Sequence, residues 1–260
     1  MTNDTYWSEQ RVIITAGASG IGLSIARAMT DLGAKVWICD IAEAELAKVR
    51  EELPTVKTTV CDVSDAAACE AFVKAATDDM GGLDILVNNA GIAGPAAAVE
   101  DISTEDWARS FSVNVNGQFF MARAAIPHLK QNASGSIVCM ASVAGKYAFG
   151  LRSPYAASKA AVIALARSMS VELGPHQIRV NAIAPGVVAG DRIKRVFTDR
   201  AKTRGISYDE MAATVLRAVS MKTMVEPEEI AALVVYLTGP SGRPISGQVM
   251  QICGGLEYTE

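Results

Sequence analysis

A tyrosine and a lysine stand four residues apart in SPYAASKAAV, Ser153 to Val162, and the alanines around them predict a helix. One helical turn separates positions i and i+4, so Tyr155 and Lys159 project from one face and share a neighbourhood. A phenol beside an ammonium is a proton-handling pair. A free phenol has a pKa of about 10, and lowering it to where it can act as a base at neutral pH takes about 3 to 4 kcal/mol of preferential phenolate stabilisation. A neighbouring cation acts in that direction. Alone, the pair reads as a tyrosine packed at a helix edge beside a solvated lysine. Its meaning depends on what the rest of the chain places around it.

A second group of residues supplies such a surrounding. The apolar run before Thr15 leads into TAGASGIG, Thr15 to Gly22, and then into an amphipathic stretch with Ile21, Ile25, Met29 and Leu32 on one helical stripe, ended by Gly33. A glycine-rich turn between strand and helix lets backbone approach a pyrophosphate, and the helix start offers unpaired N–H donors and a positive dipole end. The next apolar run ends at Asp40, eighteen residues after Gly22, close to the offset at which a carboxylate accepts hydrogen bonds from an adenosine ribose. Asp40 could also simply cap the helix expected after it.

These groups are set on a regular alternation. Short apolar runs at Val12–Thr15, Lys35–Cys39, Val56–Cys61, Ile85–Val87, Ser136–Met140, Arg179–Ile183 and Gln248–Ile252 read as strands, each followed by a turn and a helical segment. Continuous apolar strands should be buried on both faces, which predicts an α/β chain with a parallel, doubly wound sheet. Residues 1–10 read as an N-terminal tail and 11–260 as one domain. One insertion, about 190–222, has no strand signal and reads as two helices forming a lid over the site.

Half of the 260 residues are hydrophobic and 20% are charged, yet no uninterrupted apolar run approaches the ~20 residues that span a membrane. The start, MTNDTYWSEQR, lacks a basic stretch followed by an apolar one, so no secretory signal is expected and the cytoplasm is the expected compartment. Cys39, Cys61, Cys69, Cys139 and Cys253 form no C-x-x-C pair and are expected to be free thiols. His128 and His176 are far apart without acidic or cysteine partners at ligand spacing, so no metal site is expected. A net charge of −4 gives no footprint for nucleic acid.

The motifs continue in order through CDV at Cys61–Val63, NNAG at Asn88–Gly91 and PG at Pro185–Gly186. Asn114 lies twenty-eight residues before Ser142, which lies thirteen before Tyr155, itself four before Lys159. On these residues the chain resembles the classical short-chain dehydrogenase/reductase family from about Arg11 to Gly255. The resemblance implies a single Rossmann-type domain with a mostly seven-stranded parallel sheet. It implies a small-molecule substrate, hydride transfer between nicotinamide and a secondary alcohol or ketone such as a sugar or hydroxy acid, and a homotetramer. Tyr155 is then the acid/base, Lys159 holds the nicotinamide ribose, Ser142 bonds the substrate oxygen, and Asn114 anchors a water chain that carries the proton outward.

The same resemblance puts the cofactor along Gly17, Ser19, Gly20, Ile21, Gly22, Asp40, Asp62, Val63, Asn89, Ala90, Gly91, Tyr155, Lys159, Pro185, Gly186 and Val188. NAD is expected over NADP: Asp40 would repel a 2′-phosphate, and neither Ile41 nor Ala16 to Ser19 offers a basic partner for one. Three positions depart from the family pattern. Ala16 stands where glycine is usual, Gly190 where threonine is common, and Cys253 where an acid is frequent.

The other readings are a dinucleotide-binding sensor or scaffold without catalysis, which would be expected to lose part of the Asn–Ser–Tyr–Lys set, and a nucleic-acid binder, which the charge does not support. All four residues are present. Between Gly190 and Lys222 eight basic residues face four acidic ones in a chain that is negative overall. Arg192, Arg195 and, three residues before Tyr155, Arg152 are the candidates for gripping an anionic group on the substrate, with Ser142 and Tyr155 at its reacting end. Ordinary solvated faces of lid helices would have the same composition.

Overall fold

In the computed structural model, which describes residues 6–132 and 134–256, the apolar runs become seven parallel strands of one sheet. They are β1 (Arg11–Thr15), β2 (Lys35–Asp40), β3 (Lys57–Val60), β4 (Ile85–Asn88), β5 (Gly135–Met140), β6 (Ile178–Pro185) and β7 (Val249–Ile252). Their order is β3-β2-β1-β4-β5-β6-β7. Between β1 and β4 the order reverses, and in open α/β sheets ligands bind at the carboxyl ends of the strands beside such a switch point.

Alternation along each strand feeds two cores. Val12 and Ile14 of β1 pack with α1 (Gly20–Asp31), α2 (Glu43–Glu52) and α9 (Pro227–Thr238) on one face, through Ile25, Met29, Leu46, Ile230 and Val234. Ile13 points to the other face, where α3 (Ala66–Met80), α5 (Gly117–Leu129) and α6 (Ser153–Leu173) contribute Phe72, Met121 and Val162. Of the expected stripe on α1, Ile25 and Met29 are fully buried, whereas Leu32 is partly exposed beyond the last turn, which Gly33 ends at φ 93°. Burial on both faces holds for β4 and β5 but not for β3, whose KTTV residues are half-buried or exposed. As a sheet edge, β3 has a neighbour on one side only.

Two further outcomes concern the ends and the insertion. The segment read as a tail joins the core from Tyr6 onward: Trp7 is buried in the α1 face and the Tyr6 hydroxyl donates to Thr238 O at 3.0 Å. Residues 1–5 lie outside the described residues, as do 257–260 at the end of the range expected for the domain. The insertion forms α7 (Asp191–Arg204) and α8 (Tyr208–Arg217), which bury Phe197, Ala201, Met211 and Val215 against Val143 and Val187. No helix among the described residues is long and apolar enough to cross a membrane. The five cysteines are free thiols, four of them buried.

Candidate functional site

α6 begins with Pro154 in its first turn, where a missing N–H costs no intrahelical bond. Tyr155, the next residue, is half-buried, and Lys159, one turn on, is fully buried. The Lys159 ammonium donates to Met140 O at 2.7 Å, tying α6 to the last residue of β5. Its nitrogen lies 5.8 Å from the centre of the Tyr155 ring, and the guanidinium carbons of Arg152 and Arg192 lie 5.2 Å and 5.9 Å from the same centre. Burial alone would raise the phenol's pKa. Arg192, Lys159, a hydrogen bond with Ser142 and Arg152 outweigh it and hold the phenol below its ordinary value. The same burial, offset in part by Tyr155, brings Lys159 down to about 8.

Ser142 stands two residues beyond β5 and accepts from Ala144 N at 3.2 Å. Its loop reaches α6 because position 145 is glycine: a Cβ there would stand 2.6 Å from the Lys159 carbonyl carbon and 2.8 Å from Ala160 N. Asn114 is fully buried in a single π-helical turn, Ser112–Asn116, that joins α4 (Thr104–Phe111) to α5. Such turns recur at functional sites. Its Oδ1 accepts from Ile92 N at 2.7 Å, while Nδ2 donates to Ile92 O at 3.1 Å and to Ser158 Oγ at 2.9 Å. Asn114 therefore clamps the loop after β4 onto α6.

The glycine turn has the features a dinucleotide needs. Ser19 and Gly20 are exposed at the start of α1, Ser19 makes no capping bond with its side chain, and the first intrahelical N–H donor to Ser19 O is Leu23. The preceding N–H groups of that turn have no intrahelical acceptor and are free for an anion. Gly17 packs on Ile38, and a Cβ on Gly22 would stand 2.1 Å from Ala16 O. Ala16 itself takes φ 50°, the left-handed conformation a glycine would adopt freely. The departure from the family pattern thus keeps the turn's shape at a cost of about 1 to 2 kcal/mol. Asp40 closes the turn, accepting from Ala18 N at 3.3 Å and from Ala42 N at 3.1 Å, with Ile41 exposed beside it. Both oxygens thus engage backbone on either side of the strand end, while the helix that follows is capped at Ala42 without a side-chain bond.

The remaining expected cofactor residues line the same strand ends. Asn89 donates from Nδ2 to Thr15 O and Ala16 O, and Thr15 Oγ1 accepts from the N–H groups of Asn89 and Ala90. Hydrogen bonds from Ser64, with Arg109 nearby, hold the Asp62 carboxyl below the usual range. Val63 is buried against Gly117. Beyond β6, a Cβ on Gly186 would stand 2.7 Å from that of Cys253, which explains glycine there, and Val188 pairs with Val225. Gly190 has φ 123°, so the threonine common in the family would be strained.

Of the three arginines expected near the substrate, Arg152 and Arg192 converge on Tyr155 and Arg195 does not. Arg195 is exposed on α7 and makes no hydrogen bond, ion pair or ring contact among the described residues. Arg200, one helical face away, is instead buried, with its guanidinium 5.0 Å from the Phe149 ring centre. Sequence reasoning also missed Gly145 and Ser158. Ser158 is legible only as the small residue beside Lys159, and nothing local marks Gly145. A cleft of about 580 Å³ at the other end of the strands, lined by Ser136, Ile178 and Arg179 among others, holds no comparable constellation. The Arg179 guanidinium there is occupied by the carbonyls of Leu237, Thr238 and Gly242.

A family profile described as enoyl-(acyl carrier protein) reductase matches residues 15–257, spanning the glycine turn, the Asn114–Ser142–Tyr155–Lys159 set and the lid. The chain belongs to the classical short-chain dehydrogenase/reductase family. Among curated members, galactitol 2-dehydrogenase of Agrobacterium fabrum is 38% identical over 245 residues, covering 94% of this chain and 95% of that protein. Among solved short-chain dehydrogenase/reductase structures, actinorhodin polyketide ketoreductase with NADPH superposes with a TM-score of 0.92 at 31% identity, covering 96% of this chain and 98% of that one. NAD+-bound xylitol dehydrogenase gives 0.90 at 30% identity, covering 95% and 98%. As a family member the chain is an oxidoreductase with a nicotinamide dinucleotide as its expected cofactor, and the open helix start and glycine cradle fit that group.

Proposed function

We propose that the protein catalyses hydride transfer between NAD(H) and a secondary alcohol or its ketone, with Tyr155 as general acid/base. The observation that carries this reading is the convergence of Lys159 and two guanidinium groups within 6 Å of the Tyr155 ring centre, which favours the phenolate against the ring's own burial. When bound, the cofactor supplies the hydride acceptor or donor. In the oxidative direction the Tyr155 oxygen accepts the proton of the substrate hydroxyl, and in reduction it returns one. Ser142, which acts on the phenol and whose loop is anchored on α6, orients the reacting oxygen. Lys159 keeps the phenolate favourable and holds the nicotinamide ribose. Asn114 fixes the loop at Ile92 beside Ser158 and anchors the route by which the proton leaves toward water.

Preference for NAD rests on Asp40. Its carboxylate already accepts from Ala18 N at the turn, so a 2′-phosphate brought beside it would meet an anion with no basic neighbour at Ile41. Related structures carry either cofactor form, so charge at this position is what separates them here. Following the reduced cofactor's absorbance over secondary alcohols, sugars and hydroxy acids should give kcat/KM for NAD at least about tenfold above that for NADP. A one-unit-charge mismatch at contact distance is worth that much. Equal or better turnover with NADP would remove this role from Asp40, and no turnover with either would remove the enzyme reading.

The protein is also proposed to be a homotetramer. Trp107 and Phe119 on the helices around Asn114 and Val171 on α6 are exposed large apolar side chains, and Trp107 stacks on Phe111 at 5.1 Å. Such surfaces are consistent with covering by another copy, and dihedral symmetry accommodates two different interfaces. Light scattering at micromolar protein should return four times the chain mass, and a monomer mass contradicts the assignment.

A further inference from the structure

We propose that the substrate carries an oxyanion group, a carboxylate or phosphate, held by Arg152 and Arg192 beside Tyr155; this deepens the reading of Tyr155 as acid/base and rests on it. Arg152 is only 3% exposed, yet its one hydrogen bond is from Nη2 to Ala93 O, and its Nε–H has no partner among the described residues. Burial lowers its pKa from an ordinary value so high that the guanidinium stays charged at neutral pH. No carboxylate among the described residues forms an ion pair with it. The groups that act to keep it charged are the Tyr155 phenol and, more weakly, Asp199, exposed on α7. Arg192 donates from Nη1 to Gly91 O at 3.1 Å and is likewise without an acidic partner among the described residues. Lys159 adds a third cation at the same ring.

A buried guanidinium without a counter-charge is destabilising, so its place calls for a cause. Lys159 and Arg192 already place two cations at the phenol, so favouring the phenolate does not by itself require a third that is buried. An oxyanion at the free Nε–H edge supplies the missing counter-charge and takes a bidentate bond of the kind guanidinium groups favour. Arg192, carried on the lid helix, then forms the second contact. The arrangement selects a substrate whose anionic group lies within a few bonds of its carbinol carbon, since both guanidinium groups stand within 6 Å of the ring centre that carries the acid/base.

The test compares hydroxy acids with their neutral amides and with hydroxyalkyl phosphates of matched length, on the full chain with NAD. In wild type, one anionic series should exceed the amides in kcat/KM by at least about 30-fold, the discrimination expected of a buried charge pair. Arg152→Met should lower that ratio at least about tenfold, and the ratio cancels any change in phenol acidity common to both substrates. Arg192→Met, on an exposed position, makes the same test should Arg152→Met fail to fold. Calorimetric binding of malonate and of inorganic phosphate to the wild-type protein gives a reading independent of turnover. Preference for acids identifies a carboxylate and preference for phosphates a phosphate. Equal rates for neutral and charged members, or a ratio unchanged in the arginine variants, overturns the proposal while leaving hydride transfer in place. Absence of turnover with every substrate overturns the underlying reading instead, and anion binding lost in Arg152→Met or Arg192→Met then still marks the pocket.

Discussion

Replacing Tyr155 by Phe is expected to lower kcat by roughly 10²- to 10⁴-fold, the range that general acid/base catalysis supplies. The change removes one hydroxyl and little volume from a half-buried ring, so the fold and cofactor affinity should stay within about threefold of wild type. In the wild type, kcat/KM for oxidation should rise with pH as the phenol ionises, because the base is the phenolate. The rise should begin below the ordinary phenol value, since Arg192, Lys159, Ser142 and Arg152 outweigh burial. Lys159 releases its own proton near 8, so the apparent values belong to the pair. The variant should retain too little activity for such a limb to be seen. More than about a tenth of wild-type kcat in Tyr155→Phe would be incompatible with its role as acid/base.

The second large effect is expected from Gly22→Ala. The new methyl would stand 2.1 Å from Ala16 O and 2.7 Å from Asn89 Nδ2, and the first of these is backbone that cannot swing aside. Ala16 O is also one of the two carbonyls held by Asn89, so relieving the clash opens the joint between β1 and β4 at the turn. Overpacking of this kind costs about 1 to 3 kcal/mol in stability. The loss of cofactor affinity should be larger than that of stability, at least about tenfold in Kd for each 1.4 kcal/mol of cradle distortion. Titration calorimetry with NAD and denaturant unfolding separate the two. Cofactor affinity within about threefold of wild type would mean that the turn does not bear the pyrophosphate.

How much of this was legible beforehand depends on the range over which each feature is encoded. The strands were readable because apolar runs between turns are local, and all seven lie where periodicity puts them, to within a residue or two at the ends. The Asn114, Ser142, Tyr155 and Lys159 spacing was legible through resemblance, and the structure does bring these side chains to one place. Gly145 was not legible, since its need arises from α6 backbone contributed by Lys159 and Ala160. Arg195 and Arg200 are chemically identical in a sequence, and only the packing of α7 on Val143 and Val187 decides which one is buried. Trp7 was misread with the tail because a polar neighbourhood masks one anchoring aromatic.

The π-helical turn at Ser112–Asn116 has a consequence for how this chain can vary. A bond from i to i+5 accommodates one residue more than the α-helical ladder does, so the helix on either side keeps its phase. A chain shorter by one residue here could run as continuous α-helix from Thr104 to Leu129, with Met121, Ala125 and Leu129 still facing the core. What it would lose is the outward step that lets one amide reach Ile92 and Ser158 together. Length, and not only residue identity, is therefore under functional constraint in this helix. A single-residue deletion there is expected to cost turnover more than thermal stability, which inverts the usual expectation for a deletion inside a buried helix.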